Sequence, residues 1–408
     1  MMDKMNQLTN SLASTSNAAI GQIERNQLVD LAVQIKCGLD YYVLQVKLHN
    51  MSPDDKFENQ VASCRAHIEQ SLQRSSKPIQ FDKIEMWRLS SDDVKFDPDD
   101  LKTALGRGAC ATVFKGTYRG QPVAVKHFDQ ITKGGHVDWD ETISKEIETW
   151  KNISKEKYIL TLHGVCTTSL VPILVCDLCK TNIRRYVRDW PEALIPSVYQ
   201  FALGLASLHN ADIIHRDIKS DNVLITQTNE VAIADFGLSR TVSSFENTNT
   251  GIKVAGTMNW MSPEHYFESR KVTKKADIWS FGMTLWEILC NETPFANCSE
   301  CEFKDEIFQS ENDRPAKPED LDTKLEPLWT LITKCWRLSP EKRPTADEIV
   351  EDLMTHYNSQ IQESLKPQGG TDQQEESQPE TAAIDSVQPE TVQLETAQVE
   401  TDVRDVQN

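Results

Sequence analysis

HRDIKSDNVLI, residues 215–225, sets His215, Arg216, Asp217, Lys219, Asp221 and Asn222 directly before an apolar run. Alone it could be a polar loop. It is followed, however, by ADFGLSR at residues 234–240 and by GTMNWMSPE ending in Glu264, and it is preceded by LGRGACATVFKGTYRG at residues 105–120. Between them lies VAVKHF, whose apolar alternation reads as a strand and places Lys126 beside the glycine loop. The glycine stretch is ambiguous by itself: Gly106 and Gly108 suit a G-x-G-x-x-G phosphate loop, but the third position is Ala111 and the tip carries Cys110. A glycine hairpin between two strands would look the same. The set of stretches, in one order and at ordinary intervals, is not assembled by chance.

Together these motifs resemble a eukaryotic protein kinase, over residues 97–358 and silent on either flank. The resemblance implies an α+β, bilobal fold with a small β-rich N-lobe and a larger helical C-lobe, and ATP and Mg²⁺ as cofactors. Phosphoryl transfer mostly needs positioning and neutralisation of developing charge. A site therefore needs a cation for the phosphates, oxygen ligands for the metal and a base near the acceptor. On the resemblance, Gly106, Arg107, Gly108 and Ala109 form the loop over the phosphates, and Lys126 pairs with the α and β phosphates. Its supporting carboxylate would be Glu146 in ETISKEIETWKNI, with Glu148 as the outside candidate on a different helix face. Asp217 would accept the proton of the substrate hydroxyl, Lys219 would meet the γ phosphate, and Asn222 and Asp235 would bind Mg²⁺, a hard cation that prefers oxygen.

The adenine would lie between Leu105, Val113, Ala124 and Leu224, with Cys176 of PILVCDLC as gatekeeper and Asp177 to Cys179 offering hinge backbone groups. Trp150, Leu162, His215 and Phe236 resemble the hydrophobic spine joining the lobes. Glu264 and Arg343 would form a buried ion pair, and Asp277 in KADIWSFG would support the catalytic loop from behind. Lys219 resembles serine/threonine kinases and disfavours a tyrosine-specific reading. GTMNWMSPE, the lead-in WRLSSDDVKF and the hinge resemble the tyrosine kinase-like group, whose members are mostly serine/threonine kinases. Arg216 before Asp217 implies control by phosphorylation of the activation segment, where Ser243, Ser244, Thr248 and Thr250 are the candidates and Thr257 shapes the substrate platform.

Three positions depart from the family pattern: Ala111 for the third glycine, EKYILTLHG without its usual His-Pro-Asn, and SPE for APE. Ala111 would matter if that position needed a positive φ. None of the three removes a catalytic group, so the rival reading, a pseudokinase scaffold acting through its N-terminal helices, is disfavoured by the presence of Lys126, Asp217, Asn222 and Asp235. Cys110 at the loop tip is either an unreactive thiol or a redox-sensitive one.

The flanks differ in kind. Residues 1–19 are expected to be disordered and 20–90 to form an α-helical hairpin. Leu28, Ala32, Ile35, Leu39, Tyr42 and Val46 make one stripe, Ser52 and Pro53 suit a second helix start, and Phe57, Val61, Cys64, Ile68 and Leu72 make another stripe. That hairpin either packs on the neighbouring domain or offers a coiled-coil or adaptor surface to a partner. Residues 359–408 read as a disordered Gln/Glu/Thr-rich acidic tail, in which Glu380, Asp385, Glu390, Glu395, Glu400 and Asp405 recur at five-residue steps and spiral around any helix instead of making a face.

The 408 residues are 39% hydrophobic and carry a net charge of −19, which argues against nucleic acid or an anionic membrane as a partner. No apolar run approaches the roughly 18 residues of a membrane span, and the start MMDKMNQLTNS lacks the regions of a secretory signal. The cytoplasm is the expected compartment, nothing in the sequence argues against the nucleus, and protein substrates are the expected partners. Ten cysteines include C-x-x-C pairs at Cys176/Cys179 and Cys298/Cys301, but the pairs lie much farther apart than the roughly 15 to 20 residues of a zinc ribbon. The oligomeric state is left open.

Overall fold

The computed structural model describes residues 29, 30, 32–36, 59, 62, 63, 65, 66, 70, 87–108, 111–129, 147, 150–167, 171–235, 258–267 and 272–364. Ala109, Cys110, Glu146, Glu148, Phe236, Thr257 and the activation-segment candidates Ser243, Ser244, Thr248 and Thr250 lie outside them. So do residues 1–19, most of the expected hairpin, and the tail beyond 364.

VFKGTY and QPVAVKH alternate, so each forms a strand with two faces. They are β3 (Thr112–Tyr118) and β4 (Gln121–His127), joined by Arg119 and Gly120 at φ 50° and 82°. Positive φ at both central residues matches the right-handed twist of a tight hairpin. With β1 (Val94–Lys95), β2 (Ala104–Arg107), β5 (Leu162–Cys166) and β6 (Ile173–Asp177) they make an antiparallel sheet of order β1-β3-β4-β6-β5, β2 also pairing with β3. Val123 and Val125 turn to a back face with Leu89, Val94, Cys166, Ile173 and Val175. Ala124 turns the other way, into the main core with Ala111, Leu162, Leu174 and Cys176.

The back face is covered by the lead-in. Val165 N–H donates to Trp87 O (2.8 Å), Leu89 N–H donates to Val165 O (2.9 Å), and Val94 pairs with Tyr118. Residues 87–95 thus form a strap from the β5 edge to β3, and the sheet starts ahead of the boundary at 97 expected from the sequence. The physical reason is burial: Leu89 and Val94 close an apolar surface that would otherwise face water. Gly164 permits the crossing, because its φ is 156° and an added Cβ would lie 2.2 Å from Trp87 O. Gly164→Ala is expected to destabilise the protein by ~3 kcal/mol or more, read as a lower urea midpoint at unchanged m; an unshifted midpoint would show that the strap is not needed.

The second layer is helical. After β7 (Thr181–Asn182), Asn182 caps α1 (Ile183–Asp189) by accepting from Arg185 N–H (2.9 Å). Then come α2 (Leu194–Asn210), α3 (Pro263–Phe267), α4 (Lys274–Cys290), α5 (Glu326–Cys335) and α6 (Ala346–Ser364). Of the 17 residues of α4, 13 are buried, which makes it the central helix of this lobe. α6 packs along α2 and runs to Ser364, past the boundary at 358 expected from the sequence, because Ile361 is fully buried. Among the described residues no helix is long and apolar enough to cross a membrane.

Candidate active site

The hairpin of β8 (Val223–Ile225) and β9 (Val231–Ile233) brings together residues far apart in the chain. Val223 pairs with Ile233, and Ala234 N–H donates to Asn222 O (2.8 Å). Asn222, just before β8, and Asp235, just after β9, therefore leave the hairpin at the same end. Asn222 sits in a 3₁₀ turn, Ser220–Asn222, and its Nδ2 donates to Asp217 O (2.6 Å) and Asp217 Oδ2 (2.9 Å). Lys219 Nζ lies 3.1 Å from Asp217 Oδ2 and 3.3 Å from Oδ1. Two donors thus fix the Asp217 carboxylate from one side.

His215 and Asp277 hold this loop from beneath. The fully buried His215 ring lies between Asp217 N–H at Nδ1 (3.2 Å) and Ala234 O at Nε2 (2.8 Å), which fixes its orientation. Asp277, also buried, accepts from His215 N–H and Arg216 N–H, each at 2.8 Å, and lies 3.0 Å from His209 Nε2. Those bonds keep Arg216 at φ 72°, a conformation costly for a non-glycine residue. Asp235 has φ 60°, so both ends of the site carry backbone strain.

Lys126 descends from the cleft face of β4, next to Ala124 by the period of two, and its Nζ lies 2.8 Å from Asp235 Oδ1. Burial alone would lower the Lys126 pKa, but the charge and hydrogen bond of Asp235 outweigh it and hold it above the ordinary lysine value. Burial likewise pulls Asp235 upward, and Lys126 reverses this to leave the carboxyl below its ordinary range. The pair is therefore ionised as a unit.

On the hinge side, Ala124 pairs with Cys176, which is buried and whose thiol pKa is pushed upward by burial. Burial, with Asp177 next, raises Cys179 to about 12, so these two thiols are poor thiolate ligands. Asp177 N–H donates to Thr161 O (3.2 Å), and Leu178 O accepts from Gln227 Nε2 (3.0 Å). His163, in the segment without His-Pro-Asn, lies 2.8 Å from Asp177 Oδ1 and anchors the hinge. Val113 and Leu224 are half-buried against the core, while Leu105 is 53% exposed.

A family model described as "Protein tyrosine and serine/threonine kinase" matches residues 100–353. The chain belongs to this kinase family. Similar proteins include "Dual specificity protein kinase pyk3" of Dictyostelium discoideum, 30% identical over 306 residues, 71% of this chain and 21% of that protein. "Dual specificity protein kinase shkA" of the same organism is 33% identical over 264 residues, 62% of this chain and 48% of its own length. "Probable serine/threonine-protein kinase drkC", also from that organism, is 30% identical over 262 residues, 62% of this chain and 34% of its own. The chain spans less than half the length of each of these relatives. The bilobal α+β architecture expected for the family is the one observed.

Two supports of the kinase fold differ in how visible they are. Arg343, 2% exposed, bonds Glu264 with both terminal nitrogens, as the sequence motifs imply. Glu287 was missed. This buried α4 carboxylate accepts from Ser220 N–H (3.2 Å), Ser220 Oγ (2.5 Å) and Trp260 Nε1 (2.9 Å), with Arg184 Nη1 at 3.3 Å. Burial pushes its pKa above the usual carboxylate value despite these donors. It ties the loop at Ser220 to the Trp260 turn, and its signal in the sequence is a lone glutamate inside the apolar run of WSFGMTLWEILC.

Proposed function

We propose that this chain is an ATP- and Mg²⁺-dependent protein kinase that transfers the γ-phosphoryl group to serine and threonine hydroxyls of protein substrates. The observation that carries the reading is the convergence of Lys126, Asp217, Lys219, Asn222 and Asp235 around one cleft, with each cation already against a carboxylate. The donor set suits the cofactors. Asn222 turns its amide nitrogen to Asp217, which leaves Oδ1 and the Asp235 carboxylate as hard oxygen ligands for Mg²⁺.

The glycine loop fits as well. An added Cβ at Gly106 would meet nothing within 4 Å, and at Gly108 only Ala111 O at 3.6 Å. The chain's own packing does not require either glycine, so the room they leave supports close backbone approach by a phosphate. Ala111 is buried in the main core, so its methyl group is packed there.

Bound ATP with Mg²⁺ would supply the phosphoryl group and neutralise its charge. Asp217, oriented by Asn222 Nδ2 and Lys219 Nζ, would take the proton from the acceptor oxygen at its carboxylate. Lys126 would hold the α and β phosphates, with Glu146 as its further partner, and Lys219 the γ phosphate. Leu105, Val113, Ala124, Cys176 and Leu224 would enclose the adenine. Lys219 supports serine/threonine specificity, and the drkC name agrees, whereas the pyk3 and shkA names describe dual specificity. Arg216 would be neutralised by a phosphate on Ser243, Ser244, Thr248 or Thr250.

The test is phosphorylation of a mixed peptide library with ATP and Mg²⁺, followed by phosphoamino-acid analysis, against Lys126→Met. Phosphoserine and phosphothreonine are expected from the native chain and none from the variant. Phosphotyrosine as main product would overturn the specificity, and no transfer by a chain phosphorylated on its activation segment would overturn the activity.

A further inference from the structure

The N-terminal helix touches the kinase domain through two polar residues one turn apart. Residues 29–36 are helical at the described positions, with Val29, Ala32, Val33 and Ile35 buried. Gln34 Nε2 donates to Ser90 Oγ (2.8 Å) and Asp92 Oδ2 (3.2 Å), and Ser91 Oγ donates to Asp30 Oδ2 (2.7 Å). All three partners lie in the corner of the strap. Ser90 Oγ also caps that corner by accepting from Asp92 N–H (3.3 Å), and Arg119 holds Asp93 at 3.4 Å.

We propose that the Asp30–Ser91 contact is a clasp that phosphorylation of Ser91 opens, releasing the N-terminal helix from the strap while the sheet stays folded. Ser91 Oγ has a single proton, and it is given to a carboxylate. A phosphoserine there has little proton left to give at neutral pH and sets a charge of about −1.5 to −2 against Asp30. Asp92 and Asp93 add to the repulsion, and Arg119 is bonded to Asp93. Ser90 is fully buried, whereas Ser91 is partly exposed, so Ser91 is the hydroxyl an enzyme can reach. The strap itself is held by backbone bonds from Trp87 and Leu89 to Val165 and by the pairing of Val94 with Tyr118, none of which uses the Ser91 side chain.

The modifying enzyme is of the serine/threonine protein kinase class, tolerant of acidic residues after the acceptor. In its transfer the Ser91 O–H bond breaks, the proton passing to the enzyme's base. A bond from Oγ to the γ phosphorus of ATP forms, and the bond to the bridging oxygen breaks to release ADP. The clasp does not depend on the acceptor specificity proposed above.

Hydrogen–deuterium exchange on the full chain tests it, comparing Ser91 with phosphoserine incorporated at that position during translation, each with and without Asp30→Lys. Phosphoserine is expected to speed exchange of residues 29–36 by ~10-fold or more while residues 87–95 stay protected. Asp30→Lys is expected to restore protection in the phosphoserine chain, because an ammonium then faces the phosphate. Unchanged exchange at 29–36, equal loss of protection at 87–95, or no rescue by Asp30→Lys would each overturn the clasp.

Discussion

Asp217→Asn is expected to lower the turnover number by ~10²–10⁴-fold, the range that a positioned general base contributes, with the ATP KM within about threefold of the native value. Asparagine has nearly the same shape, so the loop should persist. Asp217 N–H still meets His215 Nδ1, Asp217 O still accepts from Asn222, and Asp277 still holds the two preceding amides. What disappears is the charge that Lys219 and Asn222 orient and the lone pair that would take the acceptor's proton. Steady-state kinetics beside a thermal melt separate the outcomes: retention of more than about a tenth of the turnover would mean that Asp217 is not the base.

Arg343→Ala should produce the largest loss of stability, ~3–5 kcal/mol, as expected for breaking a buried pair by removing one partner. The guanidinium has five N–H donors, and all are used. Nε meets Arg337 O (2.7 Å), Nη1 meets Glu264 and Lys275 O (2.8 Å), and Nη2 meets Glu264 Oε2 (3.0 Å) and Leu338 O (3.1 Å). The ring of Trp279 lies 5.1 Å beneath the charge. Truncation strands a carboxylate and three carbonyls at once. Arg343→Lys is expected to recover little, because an ammonium cannot reproduce the planar fork. Urea denaturation of both variants checks this, and a shift below about 1 kcal/mol for the alanine variant would place the pair among weak surface contacts.

The sequence is most informative where a function demands fixed residue types at fixed spacing. Motifs point to Glu264, Asp277 and Arg343, and the observed bonds join Glu264 to Arg343 and Asp277 to the His215 and Arg216 amides as those motifs imply. Contacts made by ordinary residues were less legible. The strap could not be read from WRLSSDDVKF, because its role depends on a positive φ at Gly164 and on backbone bonds to Val165, neither of which leaves a pattern. Glu287 was overlooked for the opposite reason: its partners are gathered by tertiary packing from three separate segments. Lys126 faces Asp235, a contact between residues that the motifs treated as serving phosphate and metal separately.

The two-sided character of β4 has a mechanical consequence. Val123 and Val125 are gripped by the strap on one side, while Ala124 and Lys126 lie along the opposite face. A close-packed apolar layer transmits displacement poorly as slack and well as shift. The strand therefore works as a shared wall, and a methyl group gained or lost at Val125 is expected to bear on its chain neighbour Lys126 from behind the cleft. Packing behind β4 thus adjoins the residue proposed above to hold the phosphates.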